Sequence, residues 1–169
     1  MNEKQNIFFF LPNFIIGGAS RSILNICRLI KNKNNTITII SLGKNQYKKY
    51  FNKINVKVIE LEQKKAIFAI FKIHSILKNQ SPKNKTIFVS NINYANVLSC
   101  IFLNNLKNFK LVLIERTPLE ELKIFFNFKD FIKKNFIYFL INLFYKKADI
   151  IIGNSFGVSS FIKSKLNLP

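Results

Sequence analysis

The residue types best suited to chemistry stand just past runs of apolar residues. Gly17-Gly18 lies shortly after the run 7–11 and leads into Ala19-Ser20-Arg21. Such a pair either makes a tight turn or lets the backbone come close to a ligand. A helix starting there aims unpaired N–H groups and a positive dipole end outward, which suits phosphate. The G-x-G-x-x-G spacing of a dinucleotide site and the lysine of a P-loop are both missing. Glu115-Arg116 ends a second apolar run, ahead of Thr117-Pro118. An acid and a base side by side in a buried strand are costly unless they form an ion pair, cap a helix or meet polar company in a cleft. Asn93 and Asn96 belong to a polar stretch at 90–96. Asn154-Ser155 suits helix capping first and a cleft rim second.

Other candidates carry less. His74 is the only histidine and stands in a helical pattern away from the strand ends. Glu120 and Glu121 are neighbours that would face different sides of a helix. Cys27 and Cys100 are isolated in apolar surroundings, with no C-x-x-C and no nearby histidine, so they read as buried, reduced thiols. Neither a catalytic triad nor a metal box can be assembled, and no catalytic residue is assigned. That absence is surprising for a whole enzyme and expected for a binding half.

The elements that would position these residues alternate. Residues 7–11 form a continuous apolar run stopped by Pro12, the pattern of a strand buried on both faces. Ile23, Leu24, Cys27 and Ile30 follow at helical spacing, with Ser20 as the expected cap. Strands are expected at 36–42, 56–59, 86–89, 110–114 and 149–152. Helices are expected at 67–77, on a face made by Ile67, Ile70, Phe71, His74 and Leu77, then at 94–103 and at 131–147. A last helix, capped by Ser155, would share Val158, Phe161, Ile162 and Leu166 on one face. Residues 119–129 read as a loop or short helix. The alternation predicts an α/β fold, an open, Rossmann-like parallel sheet with helices on both faces, and right-handed crossovers. Ligands collect at the carboxyl ends of such strands, near the switch in strand order. All four polar loops fall on that edge.

The 169 residues suit one domain, 1–169, with a substantial core, since 49% are hydrophobic and 19 are Phe. The formal charge of +19 comes from 27 cationic against 8 acidic residues, and only Arg21, Arg28 and Arg116 are arginine. The lysines are scattered, often beside Asn, which reads first as a solvated surface and next as attraction to anionic lipid. A basic nucleic-acid-binding domain is a weaker alternative, because an Arg-rich recognition helix and RNP-like aromatics are missing. The first apolar run is too short for a signal peptide and 136–145 too short for a membrane span. A cytoplasmic protein, with peripheral contact at the inner face of the membrane, is expected.

Gly17-Gly18-Ala19-Ser20-Arg21, Glu115-Arg116-Thr117-Pro118 and Ala148-Asp149 through Ser155, in that order, resemble the amino-terminal domain of family 4 glycosyltransferases. These are retaining GT-B enzymes, and the likeness covers most of the chain. The family's loop often reads G-G-A-E-R, so Ser20 stands where a Glu is usual. The resemblance implies the acceptor-side lobe of a hexosyltransferase-like enzyme in cell-surface polysaccharide synthesis. The full enzyme would transfer a sugar from a nucleotide sugar to a glycan or lipid-linked acceptor, with no cofactor and no metal. It implies that Gly17, Gly18, Arg116 and Ser155 line an interdomain cleft. Arg21, Asn93, Asn96, Glu115 and Asn154 join them as expected substrate-binding residues. The family continues past the position of Pro169 into a nucleotide-sugar domain with E-x7-E carboxylates, so the chain alone is expected to be inactive. The alternative is a non-catalytic module that binds a glycan or a partner.

Overall fold

Strand β1, Gln5–Phe10, is buried along almost its whole length, as its unbroken apolar run requires. In the computed structural model, which describes residues 4–80, 84–116, 124 and 126–166, it lies in the middle of a six-stranded sheet. The chain continues through α1 (Gly18–Ile30), β2 (Asn35–Ser41), α2 (Lys48–Lys53), β3 (Lys57–Glu60), α3 (Ala66–Lys78) and β4 (Lys85–Asn91). It ends with α4 (Asn93–Phe102), β5 (Phe109–Glu115), α5 (Phe128–Phe144), a 3-10 turn (Tyr145–Lys147), β6 (Ile150–Gly153) and α6 (Phe156–Leu166). Strand order is β3-β2-β1-β4-β5-β6, and every pairing is parallel. This is the expected α/β, Rossmann-like sheet. The order reverses between β1 and β4, where Phe10 sits opposite Ser90.

Two apolar layers hold the sheet. On one face, Ile7, Phe9 and Ile39 pack under Ile23, Leu24 and Cys27 of α1 and Phe51 of α2. On the other, Phe8, Phe10, Phe88 and Leu111 pack under α3, α4, the end of α5 and α6. Side chains alternate between faces along each strand, so Phe8 and Phe9 serve different layers.

The structure corrects several expectations. Ser20 does not cap α1: the helix begins two residues earlier, Gly17 occupies the cap position without a side-chain bond, and Ser20 is buried inside the helix. The face of α3 is also rotated. Ala66, Ala69, Ile70, Ile73 and Leu77 are buried, whereas Ile67 and Phe71 are exposed. Ile67 and Phe71 share their side of the helix with His74 and Lys78, so packing that side inward would bury polar groups. Helix α5 starts and stops three residues early. Asn127 caps it by accepting the Asp130 N–H at 2.8 Å, and the 3-10 turn takes over at Tyr145. Ser155 does cap α6, accepting the Val158 N–H at 3.3 Å. The expected loop or short helix at 119–129 lies mostly outside the described residues. Among those described, no helix is long and apolar enough to cross a membrane.

Candidate functional site

The switch in strand order opens a gap at the carboxyl edge, because α1 leaves β1 toward one face while α4 leaves β4 toward the other. A cavity of about 670 Å³ fills the gap, lined by Gly18, Ala19, Ser22, Ile92, Glu115, Arg116 and Asn154. Three of the four polar loops meet here: the glycine loop, the end of β5 and the loop after β6. The fourth, after β4, contributes Ile92.

The glycine pair has no internal reason to be glycine. No glycine among the described residues has a positive φ, and a Cβ at Gly17 or Gly18 would meet nothing within 4 Å. Neither turn geometry nor packing within these residues therefore demands the pair. The first N–H groups of α1 face the gap without a side-chain cap. Ile92, in contrast, is a β-branched residue held at φ 78°, a strained conformation at the cavity wall.

Arg116 is oriented by Asn91. Its Nε and Nη2 donate to Asn91 Oδ1 at 3.3 and 3.0 Å, while Asn91 Nδ2 donates to the Phe10 carbonyl at 3.1 Å. One buried amide thus links β1, β4 and the Arg116 side chain. Burial lowers the guanidinium's pKa from its ordinary value. It forms no ion pair among the described residues. The ion-pair alternative for Glu115-Arg116 is not what the chain adopts.

Glu115 is only 1% exposed and turns away from Arg116's guanidinium. Its Oε2 accepts from Tyr145 Oη at 2.5 Å and from Asn96 Nδ2 at 3.3 Å. Burial pushes its carboxyl up to about 7, opposed by the bonds from Tyr145, Asn96 and the Arg116 N–H. Tyr145 is pushed well above its ordinary value by burial and then by Glu115. Oε1 of Glu115 and Oδ1 of Asn96 are buried without a partner among the described residues.

The expected site residues therefore fall into three groups. Gly18, Glu115, Arg116 and Asn154 line the cavity just described; Gly17, Gly18 and Arg21 line a neighbouring one. Asn96 is fully buried and braces the Glu115 side from behind, also donating to the Ile114 carbonyl at 3.1 Å. Asn93 accepts the Tyr94 N–H at the start of α4, and exposed Ser155 caps α6; neither lines the cavity. The sequence does not single out Asn91 or Tyr145. Asn91 lies inside the polar stretch 90–96, whereas nothing near Tyr145 marks it. Cys27 and Cys100 are buried free thiols with pKa values pushed up to about 12 by burial. Among the described residues no group of three His, Cys, Asp or Glu could hold a metal ion.

Comparison with known proteins gives a fold and stops there. No family model matches the sequence, and no curated protein matches it significantly. Among solved structures, the chain is similar to HepE of Anabaena, determined in complex with UDP and glucose, with a TM-score of 0.64 over 99% of this chain. Identity is 14%, and the chain spans 43% of that protein's length, so the shared property is the Rossmann-like α/β fold.

Proposed function

We propose that this chain is the acceptor-side lobe of a GT-B glycosyltransferase of the family 4 kind. In this reading it works with a nucleotide-sugar-binding lobe to transfer a sugar from a nucleotide sugar to a glycan or lipid-linked acceptor. The observation that carries the reading is Arg116. A guanidinium fixed by Asn91, with no carboxylate partner among the described residues, faces the same cavity as Gly18 at the open amino end of α1. That pairing of a fixed positive charge with free N–H groups suits a diphosphate. Gly18 leaves room for it, since a side chain there would point into open space. UDP and glucose in the HepE structure are in keeping with the same ligand class.

The lobe's contribution is orientation and electrostatics. The α1 amino end and Arg116 would stabilise charge building on the leaving diphosphate, without needing a metal ion for that task. The test is a UDP titration of the ¹⁵N-labelled chain. Saturable shifts at Gly17, Gly18 and Arg116, lost in Arg116→Gln, support the reading. Shifts spread over the lysine surface, or none, overturn it.

One surface bears on where the acceptor resides. Phe128, Ile132, Phe136, Phe139 and Leu143 are all exposed and follow one another at helical spacing along α5, with Phe126 just before it. Lys129, Lys133, Lys146 and Lys147 stand along and just beyond that helix. Exposed aromatics beside lysines match an anionic lipid surface in shape and sign. The second half of the proposal is that α5 rests on such a bilayer and brings the cavity to a lipid-linked acceptor. Phe125, which belongs to the same sequence cluster, lies outside the described residues.

A further inference from the structure

This chain takes nearly all its positive charge from lysine, yet all three of its arginines line one pair of adjoining cavities. Arg116 lines the cavity at the switch point. Arg21 and Arg28, seven residues or about 10 Å apart along α1, line a second cavity of about 640 Å³, and the two cavities share Gly18. None of the described lysines lines either one, and no described acid lines the second. Lysine and arginine carry equal charge, so a surface that needed only solubility would not sort them. What distinguishes arginine is a planar fork that grips a carboxylate or phosphate with two parallel bonds.

The second cavity is also built. The Gln46 side chain accepts the Ile16 N–H at 2.8 Å and the Gln46 N–H donates to the Phe14 carbonyl at 2.9 Å, which ties the loop after β2 to the glycine loop. Tyr47 and Tyr50 form part of the wall, with ring centroids 5.5 Å apart. Arg28 makes one long bond to Asn25 at 3.5 Å, and neither Arg21 nor Arg28 has an acidic partner among the described residues.

We infer that this second cavity is the acceptor groove and that the acceptor carries an oxyanion, either a phosphate ester or a uronic carboxylate. Arg21 and Arg28 grip the anion, and a sugar ring lies against Tyr47 and Tyr50, whose faces suit its C–H side. The inference rests on the sugar-transfer reading for the name acceptor; the anion specificity rests on the arginines alone.

The test follows the ¹⁵N-labelled chain with glucose 6-phosphate, glucuronate, glucose and UDP at matched ionic strength. At least one anionic sugar should shift Asn25, Tyr47 and Tyr50 saturably, and the tighter of the two identifies the anion as phosphate or carboxylate. Binding should weaken about tenfold or more in the Arg21→Gln/Arg28→Gln variant, with Arg21→Lys/Arg28→Lys recovering only a minor part. Both variants change exposed helix positions, and their spectra report whether the fold is intact. Equal binding of glucose, a lysine variant equal to wild type, or anion shifts scattered over the surface would each overturn the proposal. If UDP moves Gly18 while the anionic sugars leave Tyr47 and Tyr50 still, the groove proposal falls and the transfer reading stands. If the anionic sugars bind as expected and UDP moves nothing, the anion groove stands and the transfer reading falls.

Discussion

Tyr145 donates its hydroxyl hydrogen to Glu115 Oε2 across 2.5 Å, joining the turn after α5 to the end of β5. Asn96 of α4 donates to the same oxygen at 3.3 Å, so three elements converge on one buried carboxyl behind the cavity. This arrangement fixes the end of β5, and with it the backbone from which Arg116 projects. A carboxyl buried this deeply favours its proton, and the second oxygen, with no partner among the described residues, adds to that preference.

The first prediction concerns pH. The folded pKa of Glu115 is raised to about 7 from an ordinary 4.5, so the folded chain keeps a proton that the unfolded chain has released. Its contribution to stability is greatest below about 4.5 and is lost as pH rises through about 7, a change of about 3 kcal/mol. Glu115→Gln, which cannot ionise, should therefore gain stability over wild type as pH goes from about 5 to about 8. Urea unfolding of both proteins across that range checks this. A difference that stays flat would show that the carboxyl is already ionised at the lower pH.

Asn91 tests whether the charge of Arg116 matters for the ligand. Asn91→Asp keeps an oxygen for the guanidinium but supplies a negative charge, and it removes the donor to the Phe10 carbonyl. UDP affinity should fall about tenfold or more because Arg116 becomes internally paired. Stability should fall by about 1 to 3 kcal/mol from the lost buried bond to the Phe10 carbonyl. Isothermal titration and urea unfolding read the two effects separately. Unchanged UDP affinity would remove Arg116 as the anion ligand.

Much of this fold is readable from local pattern, and the failures share a cause. Runs such as Phe8-Phe9-Phe10 and Leu111-Val112-Leu113 mark buried parallel strands because both faces must be apolar. The segment 66–77 is apolar nearly all round, so its period cannot say which side packs. Helix α2, which received no expectation, buries only Phe51 and offers too short a pattern to register. At the site, the glycine loop and Glu115-Arg116 stand out because polar and glycine residues interrupt apolar strands. The partners that orient them do not. Tyr145 opens the turn that follows an aromatic-rich helix, thirty residues beyond Glu115, and only the packing of α5 against α4 brings it there.

The glycines should behave in opposite ways. A Cβ at Gly153 would stand 2.6 Å from the Ser159 backbone N and 2.9 Å from its Cα, where β6 meets α6. Gly153→Ala must push strand and helix apart, at a cost of about 1 to 3 kcal/mol. Ser159→Ala should not rescue it, because the backbone contact remains. Gly18→Ala meets no atom, and it should leave stability unchanged within about 0.5 kcal/mol while weakening UDP binding through lost room for the diphosphate. Thermal unfolding of the three variants, with a UDP titration of Gly18→Ala, separates packing from ligand access. Equal destabilisation at both glycines would contradict the distinction.

The exposed stripe of α5 makes the last prediction. Apolar burial and lysine attraction act together at an anionic bilayer, each lysine near the surface adding about 1 kcal/mol. The wild-type chain should therefore co-sediment with vesicles containing anionic lipid and far less with neutral ones, with binding reduced by salt. Phe136→Ser/Phe139→Ser should weaken that binding about tenfold or more through lost apolar insertion. The helix itself should persist by circular dichroism, since both side chains are exposed. A Lys129→Gln/Lys133→Gln variant should lose mainly the salt-sensitive part. Equal sedimentation with neutral and anionic vesicles, or a serine variant that binds like wild type, would detach α5 from the membrane and leave the lipid-linked acceptor without structural support.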